Sequence, residues 1–358
     1  MGRLQGFAFT GWRARIQLAW RHRGLAPVVR RMGTALLAVW FAWHTYDRIS
    51  FFVHLRYPVG IDAMIYYRGV VAWLHGGNPW DAAVVIGGST FHYAGSPATT
   101  VLMAPAGLLS EEAFTAVWLV VTWVAATWTL RRLGFPMWWL LFPPIAEALF
   151  SANPQLVVLA LLVANRRWAS AVACGLKVYA FIPLVGEWRW RQIALAVSLY
   201  ASTFVVAPAL WLDYLRLFGS ISSRLESETQ RGGSAFYFPV LLGVTTVALL
   251  ILALRDRRAA GWLAVPAVWP SSQFHYSTMA LPVMSPLLAV LLSLPMARLV
   301  PVAIILGVGR RLVGPWVARF VMSADERQPA APDAEVPPAA HETARPSPDG
   351  GPRRPDRR

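Results

Sequence analysis

The stretch GIDAMIYYRGVVAWLHGGNPW, residues 60–80, follows the first long apolar segment and is too polar to be a second one. It carries a lone acid, Asp62, at the head of a short amphipathic run. Read as a helix, the run puts Asp62, Tyr66, Gly69 and Trp73 on one face and Met64, Tyr67, Val71 and Leu74 on another. One face can then lie on lipid or protein while the acid stays free. Gly76, Gly77, Asn78 and Pro79 end the run in a turn. If the stretch is a loop between membrane helices the chain is one kind of protein, and if it belongs to a soluble domain it is another.

Composition favours the first. The chain has 358 residues, 56% of them hydrophobic, with a mean hydropathy of +0.46, well above the apolar fraction of soluble domains. Several apolar stretches approach the roughly 20 residues that span a bilayer as helix. Because lipid forces backbone polar groups to pair within the chain, the expected fold is an all-α, polytopic bundle of about 9–11 membrane helices. The net charge of +15 is carried by arginines in the N-terminal segment, in short loops and in the tail. That is a positive-inside pattern attracted to anionic membrane lipid, with no base-reading motif beside it, so nucleic acid is excluded as a partner. The single Cys174 cannot form an internal disulfide.

This reading divides the chain into a basic cytoplasmic segment at 1–32, a membrane domain at 33–323 and a disordered, Pro-, Ala- and Arg-rich tail at 324–358. An uncleaved first span at 33–53 delivers Asp62 and the loop 54–97 to the outer side. A second outer loop covers 211–237. Between them the apolar sequence is interrupted by Pro105, by Glu111 and Glu112, by Pro143 and Pro144, by SANPQ at 151–155 and by Pro183. Discontinuous helices of this kind face protein or a water-filled cavity, which places a site inside the bundle.

Chemistry-bearing residues are scarce. Only 11 of the 18 acids precede residue 324. Asp62 is either a helix N-cap or a carboxylate free to act, and one oxygen could do each. Lys177 is the only lysine in the chain and sits in AVACGLKVYAFIPLV. There an ammonium either snorkels to the interface or meets an anion such as a lipid phosphate. His275 lies in a polar island with Ser271, Ser272, Gln273 and Tyr276, as a structural group or a donor to phosphate. Asn153 and Gln155 make a second polar break. No zinc spacing, phosphate-binding loop, dinucleotide fingerprint or nucleophile elbow is present, so neither a metal nor a soluble cofactor is expected.

An uncleaved first span, then Asp62, Tyr66, Tyr67 and the Gly-x-Asn-Pro-aromatic turn at 76–80, resembles the polyprenyl-phosphate-mannose-dependent mannosyltransferases of glycosyltransferase family eighty-seven, actinobacterial membrane enzymes of GT-C fold. The likeness continues through FHYAGSP at 91–97, SANPQLVVLALLVA at 151–164, the lysine-to-proline segment 177–183 and the island at His275. It departs from the family where Pro154 replaces a glycine before Gln155. The resemblance implies inverting transfer of mannose from a polyprenyl-phosphate donor to a lipid-linked mannoside or glycan, on the outer face of the plasma membrane. It implies Asp62 as general base and Lys177, His275, Arg68 and Arg224 as partners of the donor phosphate. Tyr66, Tyr67, Asn78, Tyr93, Asn153 and Gln155 would line the substrate site. Two other classes remain: a transporter or flippase of a lipid-linked sugar, which broken helices and an intramembrane lysine also suit, and a non-catalytic membrane partner.

Overall fold

The computed structural model describes residues 25–228, 233–270, 272–296 and 299–311. Residues 1–24 of the basic segment and the 324–358 tail lie outside the described residues. What is described is mostly helical, as expected, with one exception in the first loop: an antiparallel hairpin pairs Ala83–Ile86 (β1) with Ser89–His92 (β2), Val84 opposite Phe91. Gly87 and Gly88, both at positive φ, turn it.

The first helix, α1 (Leu25–His54), contains the expected first span but runs beyond it, and its second half holds His44, Asp47 and Arg48. Next comes α2 (Ile61–Leu74), the amphipathic run, then the hairpin and the short α3 (Pro97–Leu102). Helix α4 (Glu111–Leu133) is continuous, so Glu111 and Glu112 begin a helix instead of breaking one. The reason is local. Ser110 caps it, accepting a hydrogen bond from the Ala113 amide at 3.2 Å, while the two acids at its start and Arg131 and Arg132 at its end oppose the helix dipole.

Among the described residues, α4 is the one helix that by itself is long and apolar enough to cross a membrane. The pairs α5 (Pro143–Ser151) with α6 (Gln155–Ala164), and α9 (Trp190–Val206) with α10 (Pro208–Glu228), qualify together but are bent by 114° and 104°. The expectation of about 9–11 separate spans is thus met only in part by length and composition, because polar breaks and prolines divide the apolar sequence into short helices. Three further boundaries differ from the sequence reading. The break in 168–187 falls at Lys177, between α7 (Arg167–Leu176) and α8 (Phe181–Gly186), while Pro183 sits harmlessly in the first turn of α8. The expected loop 211–237 is helix as far as Glu228. After α11 (Pro239–Ala253) and α12 (Arg257–Val268), the apolar 278–296 divides into a 3₁₀ segment, Phe274–Val283, and α13 (Pro286–Leu292). A last helix, α14, covers 300–311.

These helices alternate between two ends. α4 runs from Glu111 to Arg132, and α6 descends from Gln155 to Asn165 before α7 climbs back to Lys177. The arginine end is knitted by Arg189 Nη1 donating to the Leu162 carbonyl at 3.1 Å, Gln192 to Asn165 at 3.0 Å and Arg311 to Asp256 at 3.1 Å. There α8 and α12 touch backbone to backbone: a β-carbon on Gly186 would lie 2.9 Å from both the Arg257 carbonyl oxygen and the Gly261 Cα. Small residues at a crossing permit such an approach.

Gly186→Ala is therefore expected to cost about 1–3 kcal/mol through overpacking against backbone that cannot yield. Gly243→Ala on α11, where a β-carbon meets nothing within 4 Å, is the control. Thermal midpoints of the two purified variants should separate, with only Gly186→Ala falling below the parent.

Candidate active site

The entry to α2 is pinned first. Gly60 stands at φ 85°, its amide donates to the Phe150 carbonyl at 2.8 Å, and a β-carbon there would lie 2.5 Å from Thr115 Cγ2. A glycine is required by both conformation and space. Gly60, not Asp62, holds the N-cap position, and Asp62 is the second helical residue. The capping role weighed for Asp62 is thereby replaced by a long-range contact: its Oδ2 accepts from Asn153 Nδ2 at 2.8 Å.

Asn153 uses both ends of its amide, since its Oδ1 accepts from the Gln155 backbone N–H at 2.9 Å, at the start of α6. Ala152 beside it is left-handed at φ 54°, and its carbonyl is held by Trp118 Nε1 at 3.0 Å. A non-glycine residue there costs on the order of 1–2 kcal/mol, a strain located at the bend between α5 and α6.

Lys177 follows α7 in extended backbone. Its Nζ lies 5.2 Å from the centre of the Tyr66 ring, in polar contact with the phenol, and within electrostatic reach of Asp62 and Tyr276. Two threads hold it there. Thr99, capped into α3 by Ser96, donates to the carbonyls of Gly175 and Leu176 at 3.0 and 3.1 Å. Tyr93 packs edge-on against Tyr66 with 5.4 Å between centroids and bonds Thr100 at 2.9 Å. Gly69 makes room for the Tyr93 ring. Burial raises the Tyr66 phenol above its ordinary value and the Lys177 charge only partly offsets it, so the phenol stays protonated. Asp62 and Lys177 themselves are half-buried.

Asp62, Tyr66, Asn153 and Lys177 thus form one cluster, with Tyr93 behind Tyr66. The other residues singled out by sequence lie elsewhere. Gln155 is fully buried, its amide taken by the Tyr179 hydroxyl and by Thr278 at 3.4 Å. It ties α6 to the 3₁₀ segment instead of facing the cluster. Arg68 forms a fork with Glu111, both bonds 2.9 Å, and donates to the Ala83 carbonyl. Tyr67 bonds the Leu109 carbonyl at 2.8 Å, and Asn78 caps the turn Pro79–Asp81. Arg224 faces Asp81 at 3.5 Å, near the pair His92–Glu228 that ties α10 to the hairpin. All four anchor the first loop, to itself, to the start of α4 or to α10, and none touches Asp62.

His275 is buried, and its Nδ1 meets Glu147 Oε1 at 3.2 Å while Arg48 Nε holds Glu147 Oε2 at 2.5 Å. Its Nε2 is buried without a partner. Tyr276, whose ring centroid lies 5.0 Å from those of both His275 (tilted) and Tyr179 (edge-on), stands between this triplet and Lys177. Arg48, Glu147, Tyr179 and Tyr276 were not among the expected site residues. The signal for the first two was an arginine within the first apolar span and a glutamate in an apolar segment, which need each other. Among the described residues no three His, Cys, Asp or Glu side chains gather as a metal site.

Comparison with known proteins yields no match: no family model, no curated protein and no solved structure matches the chain.

Removing Arg48 leaves the buried Glu147 carboxylate uncompensated, at a cost of about 3–5 kcal/mol. Arg48→Met is expected to lose that much stability by thermal unfolding in detergent. The double variant Arg48→Met, Glu147→Gln should regain part of the loss, and an equal or larger loss in the double variant would refute the pairing.

Proposed function

We propose that the chain is a polytopic membrane glycosyltransferase of GT-C type that moves mannose from a polyprenyl-phosphate donor to a lipid-linked mannoside or glycan, with inversion, on the outer face of the plasma membrane. The observation that carries this reading is the meeting of Asp62 and Lys177 around Tyr66. It brings a carboxylate and a cation from distant parts of the chain into one half-buried cluster.

The chemistry asks for both. The acceptor hydroxyl attacks the anomeric carbon, a new C–O bond forms, and the bond from that carbon to the phosphate oxygen breaks. Asp62 takes the hydroxyl proton. Asn153 occupies Oδ2 and sets the carboxylate plane, and among the described residues Oδ1 accepts no hydrogen bond and is available to the hydroxyl. Lys177 balances the charge that develops on the departing lipid phosphate, and the protonated Tyr66 beside it can share that task. A phosphomonoester leaving group carries less charge than a nucleoside diphosphate, so protein cations suffice in this reading.

The helix bends of 114° and 104° also suit a transporter or flippase of a lipid-linked sugar. Turnover separates the two. Purified protein with synthetic polyprenyl-phosphomannose and a mannolipid acceptor should extend the acceptor. Asp62→Asn should lower turnover about 10²–10⁴-fold while donor binding persists. Full activity in Asp62→Asn would sink the assignment. Lys177→Ala should lose donor binding with the fold preserved, a separate check on the phosphate contact.

A further inference from the structure

A cavity of about 540 Å³ opens at the arginine end, away from Asp62 and Lys177. Arg132 from the end of α4, Arg189, Arg258 from α12, Glu187, Asn165 and Trp262 line it. Three guanidiniums face one carboxylate, so the lining carries a surplus of two positive charges. Glu187 does not cancel the site but organises it. It pairs with Arg189, meets Arg258 Nε at 3.2 Å and accepts from Trp262 Nε1 at 2.6 Å. Arg189 is further fixed on the Leu162 carbonyl. Arg258 binds Glu187 through Nε, which leaves its outer fork unengaged among the described residues, and Arg132 has no ion-pair partner there. Planar forks that converge on a cavity suit a phosphate oxyanion.

The same end carries Trp168, Trp188 and Trp190, each more than half exposed, with Arg257 over the Trp188 ring at 5.0 Å. Exposed tryptophans beside arginines are the pattern of a membrane–water interface, where headgroup phosphates lie.

We infer that this cavity binds a phosphate-bearing anion, supplied in the membrane by the headgroup of an anionic phospholipid. The lipid source rests on the membrane reading above. The anion site rests on neither that nor the proposed sugar transfer.

The test uses the full chain in neutral detergent, with native mass spectrometry after addition of phosphatidylglycerol, phosphatidylcholine or inorganic phosphate. Retention of phosphatidylglycerol should exceed that of phosphatidylcholine at least tenfold. Arg132→Glu should abolish the preference. Arg131→Glu makes the same charge change one residue away, outside the cavity lining, and should keep it. Gel-filtration profiles of both variants confirm folding. Equal retention in Arg132→Glu and the parent overturns the site, and equal loss in Arg131→Glu overturns it in favour of diffuse charge. If inorganic phosphate competes with the lipid and Arg132→Glu removes that competition, the anion site stands. If only inorganic phosphate binds, the lipid source falls and the site remains. Turnover on the mannosyl donor, measured in parallel, isolates failure of the function, and absence from the membrane fraction isolates failure of the membrane reading.

Discussion

The contact between Asp62 and Asn153 joins the two parts of the chain on which the site depends. One is the first loop, where Gly60 admits α2 against α4 and α5. The other is the bend where α5 gives way to α6. A helix interrupted in an apolar setting leaves backbone groups that must find partners. Asn153 supplies an acceptor to one of them and a donor to Asp62 with the same amide. Trp118 and Thr99 do similar work for Ala152 and for the residues before Lys177. Because the groups that repair the breaks are polar, the repairs and the candidate chemistry collect at the same end.

Two polar clusters answer different demands. Arg48, Glu147 and His275 close on one another, so their weight falls on structure, joining α1, α5 and the 3₁₀ segment. The Glu187 cluster at the other end has more cations than its carboxylate can neutralise and opens on a cavity. The same pairing rule produces a closed bolt in one place and an unsatisfied site in the other, depending on the count of charges and on access to solvent.

Rarity made part of the site legible. A lone lysine in apolar sequence, an acid heading an amphipathic run and a polar interruption at SANPQ are each costly without a purpose, and Lys177, Asp62 and Asn153 do come together. Arg68, Arg224, Tyr67 and Asn78 were equally conspicuous by type, yet they tie the first loop to itself, to α4 and to α10. Residue type announces a need for a partner and does not name it. Tyr179 was passed over because an aromatic residue in apolar sequence looks like ordinary core, and Tyr276 was read only as part of the polar island at His275; their ring contacts with each other and with His275 distinguish them.

Local chemistry therefore determined from sequence alone the predominantly helical character, the break at SANPQ, the clustering of arginines and the short roster of groups able to carry charge. Hydrophobic runs, prolines and caps act within a few residues, and their effects can be read in one dimension. Tertiary structure decided that Asp62 meets Asn153 instead of capping its own helix. It also decided which cations remain unpaired. Those outcomes depend on partners as many as 91 positions apart, and a contact at that separation is chosen by packing, which no local pattern encodes.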